Sequence, residues 1–320
     1  LGIGYREQEK ERRNMYDLII VGAGIAGMSA AIYGLRAGRS VLLLEEKGYG
    51  GQMVNALEVE NYPGIPRISG YELSENLYQQ VSALKGEIKY EKVLKIQEDG
   101  KKKKVVTNRA EYLCNCVILA TGAKNRPLGI DREKELTGAG VSYCATCDGA
   151  FFRGKDVAVV GGGNTALEDV NFLSNYCHMV YLIHRRDTFR GEERLVHNLQ
   201  AKKNVAFILE SEVVALIGKE HVEAVKVVHR QTGEERILSV AALFVAIGQM
   251  PDNTAFENVV EVDKTGYIIA GEDCKTRTRG IYTAGDCRTK TVRQLATAAA
   301  DGAVAALAAA AELSERSLKS

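Results

Sequence analysis

Asp17-Leu18-Ile19-Ile20-Val21, followed at once by Gly22-Ala23-Gly24-Ile25-Ala26-Gly27, is the stretch on which the fold turns. A polar residue and then an unbroken apolar run reads as a strand buried on both faces. The glycines that follow hold a fixed spacing. Gly22 permits a tight turn, Gly24 lets a pyrophosphate approach the backbone, and Gly27 allows helix and strand to pack closely. An apolar-faced helix to about Ala37 comes next, then a second strand, Val41–Glu45. Phosphates at the helix N-terminus would meet free N–H groups and the positive end of the dipole. Glu45 ends the second strand, where a carboxylate is expected on an adenosine ribose.

The theme recurs. Strand 156–160 leads into Gly161-Gly162-Gly163-Asn164-Thr165-Ala166, a helix to about Asn175, and strand Met179–Ile183. The step of 23 positions from Gly22 to Glu45, taken from Gly161, arrives at His184, followed by Arg185, Arg186 and Arg190. A carboxylate there would repel a 2′-phosphate, whereas guanidinium groups bind it in charge-assisted pairs. This second site is expected to prefer NADPH over NADH. A second matched pair supports duplication: Val117–Leu119 runs into Ala120-Thr121-Gly122, and Leu243–Val245 into Ala246-Ile247-Gly248. Between turn and closing strand each copy carries β-rich sequence, Ile88–Ile96 with Lys103–Val106, and Val205–Leu209 with Val222–His229. Lys101–Lys104 follows an Asp99-Gly100 turn signal and reads as a solvated hairpin edge. Ser69-x-x-Glu72 is a capping box opening a helix over 69–84, with Leu73, Leu77, Val81 and Leu84 as its core stripe.

After Gly248 no third copy begins. Expected strands Tyr267–Ala270 and Ile281–Thr283 lead to Gly285-Asp286 and a long Ala-rich helix from about Arg293. Such a tail most simply returns to complete the first copy. The expected fold is α/β: two Rossmann-like three-layer dinucleotide-binding domains, the second inserted in the first. Residues 15–126 and 253–320 form the discontinuous first domain, 127–252 the second. Residues 1–14, polar and preceding Met15, are expected to be a disordered or foreign extension.

Composition supports a folded chain of about two domains, since 320 residues exceed one ordinary domain. Charge nearly cancels, 42 Lys and Arg against 41 Asp and Glu, so nucleic acid and anionic membranes find no electrostatic footprint. The apolar stretches Leu18–Ala37 and Leu295–Leu313 are broken by the glycine fingerprint and by Asp301-Gly302, and neither is expected to span a membrane. Seven cysteines over this length do not make a secreted disulfide scaffold.

Cys144-Ala145-Thr146-Cys147-Asp148-Gly149 lies between the two turns. Zinc needs about four ligands, and Cys114-Asn115-Cys116 has the wrong spacing to complete a set, so no metal site is expected. A buried structural pair would be a coincidence at this spacing. A redox dithiol reads best: neighbouring cysteines form and break a disulfide locally. Asp148 is either a turn residue or the dithiol's proton carrier, and no histidine competes nearby. Cys114 and Cys116, two apart, are expected to face one side as packing residues.

At this density of motifs the chain resembles the bacterial-type, low-molecular-weight thioredoxin reductases: GAGIAG at 22–27, GGQ at 50–52, ENYPG at 60–64, ATGA at 120–123, CATCDG at 144–149, GGGNTALE at 161–168, HRRDTFR at 184–190, GDC at 285–287 and RQLATAAADG at 293–302. The resemblance covers about residues 15–313 and implies a cytoplasmic homodimer that passes two electrons from NADPH through FAD and the Cys144/Cys147 dithiol to thioredoxin. It places FAD on the first turn (Gly22, Gly24, Ala26, Gly27), with Glu45, Glu46, Gly51, Gln52 and Asn61 along the adenosine and flavin region. Ala120, Thr121 and Gly122 close that site, and Gly285, Asp286, Arg293, Gln294 and Ala296 come to it from the tail. NADPH falls to Gly161, Gly163, Asn164, Thr165, His184, Arg185, Arg186, Arg190, Ile247 and Gly248. Cys147 is implied as the thiol nearest the flavin, Cys144 as the one that attacks thioredoxin, Asp148 as acid–base. Cys287 stands where an apolar residue is commoner, a packing change only. A flavin-dependent dithiol oxidase would have no use for the arginines, and a peroxide-reductase flavin subunit would need an added dithiol domain. A flavin-bound redox sensor would be reduced without turning over.

Overall fold

The computed structural model describes residues 15–56 and 58–318; the extension expected at 1–14 lies outside them. The chain divides into two compact units, one up to Lys124 together with Met250–Ser320, the other Asn125–Gln249. The boundaries fall slightly before the expected 126/127 and 252/253. The reason is that the crossings themselves are short strands, Ala123–Asn125 and Gln249–Pro251, which pair with each other.

In the first unit, strand Met15–Val21 lies between parallel neighbours Val41–Glu45 and Glu111–Leu119, with Glu87–Tyr90 beyond Val41–Glu45. Alternate residues sort to opposite faces, as a period of two requires. Leu18, Ile20, Leu43 and Ile118 meet the helices Ile25–Arg36, Gly70–Ala83 and Leu295–Leu318. Ile19, Leu42, Leu44 and Val117 meet Val93, Ile96 and Val105 of a β-meander and Phe256, Val259 and Ile268 of the tail. Each such fully buried Leu or Ile stabilises by about 1.5–3 kcal/mol. Helix Gly70–Ala83 carries the expected capping box, Ser69 Oγ accepting from Glu72 N at 3.1 Å. Helix Leu295–Leu318 is long and apolar enough to cross a membrane. Here Ala298, Ala305, Ala306 and Ala309 pack it into the core instead.

Four expectations change. Ile88–Ile96 splits at Glu91-Lys92: the first half becomes the parallel edge strand Glu87–Tyr90, the second opens the meander. The lysine run is no edge, because Lys102–Thr107 pairs on both sides, and Lys103 is buried with Nζ 2.8 Å from Glu98. Tyr267–Ala270 forms no strand, only isolated bridges from Ile268 to Val262 and Arg288. Cys114 and Cys116 are both packing residues but join different clusters. Between them strand Glu111–Leu119 changes partner, from antiparallel Lys102–Thr107 to parallel Ile281–Thr283.

The second unit repeats the plan. Five parallel strands run in the order Val205–Ile208, Met179–Ile183, Asp156–Gly161, Ala242–Ala246, Val141–Ser142. Helices Asn164–Leu173 and Glu193–Gln200 cover one face through Leu167, Val170 and Leu199. A three-stranded antiparallel sheet, Ser211–Ile217, Ala224–His229 and Glu235–Ser239, covers the other through Val213, Val225 and Val227.

Candidate active site

Gly22 has φ +102°, and a Cβ on it would lie 2.4 Å from the carbonyl oxygen of Ala120. At the matching place in the second unit, a Cβ on Gly161 would lie 2.4 Å from the carbonyl oxygen of Ala246. Each strand-to-helix turn is thus pressed against its own closing strand, and each needs glycine for the same reason. Gly50 donates its N–H to Ala23 O at 2.7 Å, which seats Gly51 and Gln52 beside the first turn, with Gln52 Nε2 on Ala123 O. Glu45 turns both oxygens inward, onto Ala23 N at 2.9 Å and Lys47 N at 3.0 Å. Glu46 is exposed and pairs with Lys92.

The tail reaches the same turn. A Cβ on Gly285 would lie 2.8 Å from Ala26 Cβ, and one on Gly302 would lie 2.2 Å from Ala26 O, so helices Ile25–Arg36 and Leu295–Leu318 cross at van der Waals contact of their backbones. That crossing delivers Asp286, Arg293, Gln294 and Ala296; Gln294 Oε1 accepts from Asn61 Nδ2 at 3.2 Å. Thr121 donates to Asn253 Oδ1 at 3.0 Å, and Asn253 donates to Cys287 O at 3.1 Å, tying the turn after Leu119 to the Gly285 loop. Gly122, at φ +66°, ends that turn. Cys287 is buried, its sulfur 3.4 Å from Leu119 O. Asp286 Oδ1 and Arg293 Nε are buried without a partner among the described residues. Burial pushes the Asp286 carboxyl up, against the pull of Lys290 and Arg293. Unpaired buried polar atoms are costly; Gly22 N and Ala23 N are taken by Leu44 O and Glu45 Oε2, and the first-turn N–H groups of helix Ile25–Arg36, which have no partner one turn back, fit a ligand bearing phosphate and hydroxyl groups.

The second turn is more open, with Asn164 and Thr165 exposed and Gly163 partly so. The loop after strand Met179–Ile183 is fastened over it. Arg190 N donates to Gly162 O at 2.8 Å, and Glu192 N to Asn164 Oδ1 at 2.8 Å. The His184 ring lies on Gly162, where a Cβ would come within 2.0 Å of it. Its Nε2 is 3.1 Å from Thr188 O, and Phe189 stacks on it at 5.2 Å. Burial lowers the His184 pKa, with the neighbouring arginines adding. His184 is a buried support beneath the loop. Arg185, Arg186 and Arg190 are exposed, with no side-chain ion pair among the described residues. Gly248, at φ +106°, follows Ile247 and accepts from Arg126 N at 3.0 Å.

Cys144 and Cys147 are joined by a disulfide, Cα atoms 5.3 Å apart. Cys144 precedes the single turn Ala145–Asp148, and Cys147 N and Asp148 N both donate to Cys144 O. Asp148 Oδ2 accepts from Ser142 Oγ at 2.6 Å. Burial pushes the Asp148 carboxyl up, and the Ser142 bond pulls it back. Upstream, Glu133 accepts from Leu128 N, Gly129 N and Tyr143 OH at 2.7–2.8 Å and so anchors the approach to the motif.

Sequence reasoning missed Ser142, Asn253 and Asp301. Asp301 is buried in helix Leu295–Leu318 and takes bonds from Arg288 Nε at 2.8 Å, Lys290 Nζ at 2.9 Å and Gly285 N at 2.9 Å. A charged residue inside an Ala-rich helix was the available signal. Ser142 offered none, because its partners are recognisable only once the motif is folded.

An oxidised cysteine pair in the unit that bears the second of two nucleotide-type turns defines a nucleotide-linked disulfide oxidoreductase. The sequence profile described as pyridine nucleotide-disulphide oxidoreductase matches residues 16–303. The thioredoxin reductase of Listeria monocytogenes is 42% identical over 293 residues, 91% of this chain and 92% of that one. That of Bacillus subtilis is 42% identical over 295 residues, 91% and 93% of the two chains. A solved structure of the Streptococcus pyogenes thioredoxin reductase matches with a TM-score of 0.90 at 39% identity, covering 94% of this chain and 99% of that one. The chain belongs to the pyridine nucleotide-disulphide oxidoreductase family and, within it, to the thioredoxin reductases of bacterial type.

Proposed function

We propose that the chain is a thioredoxin-disulfide reductase of the cytoplasm that uses NADPH and FAD. The observation that carries this is the Cys144–Cys147 disulfide followed directly by a partly buried carboxyl, Asp148, in the unit that also bears the second glycine turn. In sum, NADPH and a proton convert the disulfide to two thiols, which close again as the disulfide of thioredoxin, or of a similar small protein, opens to two thiols. The bound cofactors supply the two-electron chemistry. Gly22 makes the tight turn with its own N–H on Leu44 O, Gly24 and Gly27 let the FAD pyrophosphate approach the N–H groups at the start of helix Ile25–Arg36, and Asp286 and Arg293 bring their unpaired atoms to the ribityl and phosphate side. Glu45 favours the adenosine-bearing FAD over FMN. Arg185, Arg186 and Arg190, exposed and without a side-chain ion pair among the described residues, favour the 2′-phosphate of NADPH.

Asp148 holds and gives back a proton as the two sulfurs part and rejoin. Cys147, its neighbour, is assigned to the flavin side and Cys144 to the attack on thioredoxin. A homodimer is part of the reading: Tyr33, Val304 and Leu307 are 40–50% exposed along helices Ile25–Arg36 and Leu295–Leu318, an apolar face suited to a second copy.

NADPH absorbance, followed with and without added thioredoxin, tests the function. Rapid oxidation only when thioredoxin is present is expected. No NADPH oxidation, with dithiols still oxidised by oxygen, points to a dithiol oxidase, and a single stoichiometric bleach to a sensor; either overturns the reading. Denatured protein should release FAD. With a single-cysteine thioredoxin, attack by Cys144 requires a trapped mixed disulfide in Cys147→Ser and none in Cys144→Ser.

A further inference from the structure

Ser142 is the second residue of the two-residue strand Val141–Ser142, held in the five-stranded sheet opposite Phe244. It is 4% exposed. Its oxygen accepts the backbone N–H of Cys144 at 3.1 Å and donates its hydrogen to Asp148 Oδ2 at 2.6 Å. The carbonyl of Cys144 lies 3.4 Å away, but a hydroxyl has one hydrogen, and the short bond to the carboxyl takes it. One oxygen on a rigid strand thus joins the residue that opens the dithiol motif to the residue that closes it.

We propose that Ser142 is the positioning residue of the dithiol centre: it fixes the Asp148 carboxyl against the Cys144 end of the motif, so that the proton carrier keeps its place while the disulfide opens and closes. This rests on the reading of Asp148 as proton carrier. The opening takes up two electrons and two protons and breaks the S–S bond; the return passes both electrons to the acceptor disulfide and both protons to its thiols. Cys144 and Asp148 flank a single helical turn, and both are held by the one Ser142 oxygen, which the sheet fixes. Asp148 is tied to the sheet through Ser142, so the carboxyl stays put while the sulfurs separate. The same bond opposes the upward push that burial exerts on the Asp148 carboxyl.

The test is the pH profile of thioredoxin reduction, by holoenzyme, for four variants. Ser142→Ala removes the hydroxyl and leaves burial unopposed. Its turnover at pH 7 should fall roughly 10- to 100-fold, the range for losing a hydrogen bond to a charged group. The limb of the profile that reports Asp148 should move to higher pH. Ser142→Thr, which keeps the hydroxyl, should keep that limb in place. In an Asp148→Asn background, adding Ser142→Ala should cost less than about twofold more, since coupled residues are not additive. Thermal unfolding of each variant separates a folding defect from a shifted profile. An unmoved limb in Ser142→Ala, with Asp148→Asn still slow, overturns the inference about Ser142 alone. Normal turnover in Asp148→Asn overturns the proton-carrier reading and this inference with it.

Discussion

Asp169, within helix Asn164–Leu173, carries a carboxyl that burial, with the Glu168 charge adding, pushes up to about 7. A folded pKa above the unfolded one means that the folded state holds its proton more tightly. The resulting stability is present below the ordinary Asp range and is lost as pH rises to about 7. Asp169→Asn should therefore raise the thermal midpoint more at pH 8 than at pH 5. Equal gains at both would show that the charge is not the cause. Gly162 offers a second residue-scale test. A Cβ there collides with a His184 ring that Phe189 and Thr188 already pin. Gly162→Ala should displace the arginine loop and reduce kcat/KM for NADPH at least tenfold, a change of about 1.4 kcal/mol, while NADH use changes little. An equal loss with both coenzymes would assign the glycine to the turn itself. The three-glycine spacing was legible in the sequence because its geometry is local. The pairing of Gly162 with His184 was not, because it depends on two segments meeting.

The loop Gly285–Lys290 and helix Leu295–Leu318 are joined by one carboxylate. Burial pushes Asp301 up, and the bonds from Arg288 and Lys290 more than offset it, leaving its pKa below the ordinary range. Its contribution is thus present above the ordinary Asp range and lost as pH falls through the folded value. Asp301→Asn would leave Arg288, 1% exposed, beside Lys290 without a full counter-charge. Breaking such a pair costs roughly 3–5 kcal/mol, measurable by chemical denaturation, and should loosen FAD because Asp286 rides on the same loop. Unchanged stability with intact FAD binding would make the cluster dispensable. At this scale, strands with unbroken apolar runs, such as Val41–Glu45, were readable, since burial on both faces needs no alternation. The meander was harder. Lys102–Thr107 looks like an edge because lysines dominate it, yet its place is decided by strands on both sides of it. Tyr267–Ala270 has strand composition but finds no continuous partner.

The inserted unit is continuous in sequence, has its own five-stranded sheet, and buries a separate cluster on each face of it. Residues 125–249, expressed alone, should unfold cooperatively and form the Cys144–Cys147 disulfide without binding flavin. A disordered product would mean that its cores need the rest of the chain. The insertion was legible because the second turn completes its own closing strand before the tail begins. The tail's role in the first site was legible only through resemblance, because Asp286 and Arg293 carry no local pattern of their own. One further property belongs to the whole chain. Of its seven cysteines, five are buried and unpaired, spread over both units. Only the redox pair changes state in the proposed reaction. An alkylating dye applied to native protein should then find no site before reduction and two after it. Denaturant should uncover the remaining five, so the stoichiometry of labelling reads oxidation state and intactness from one sample.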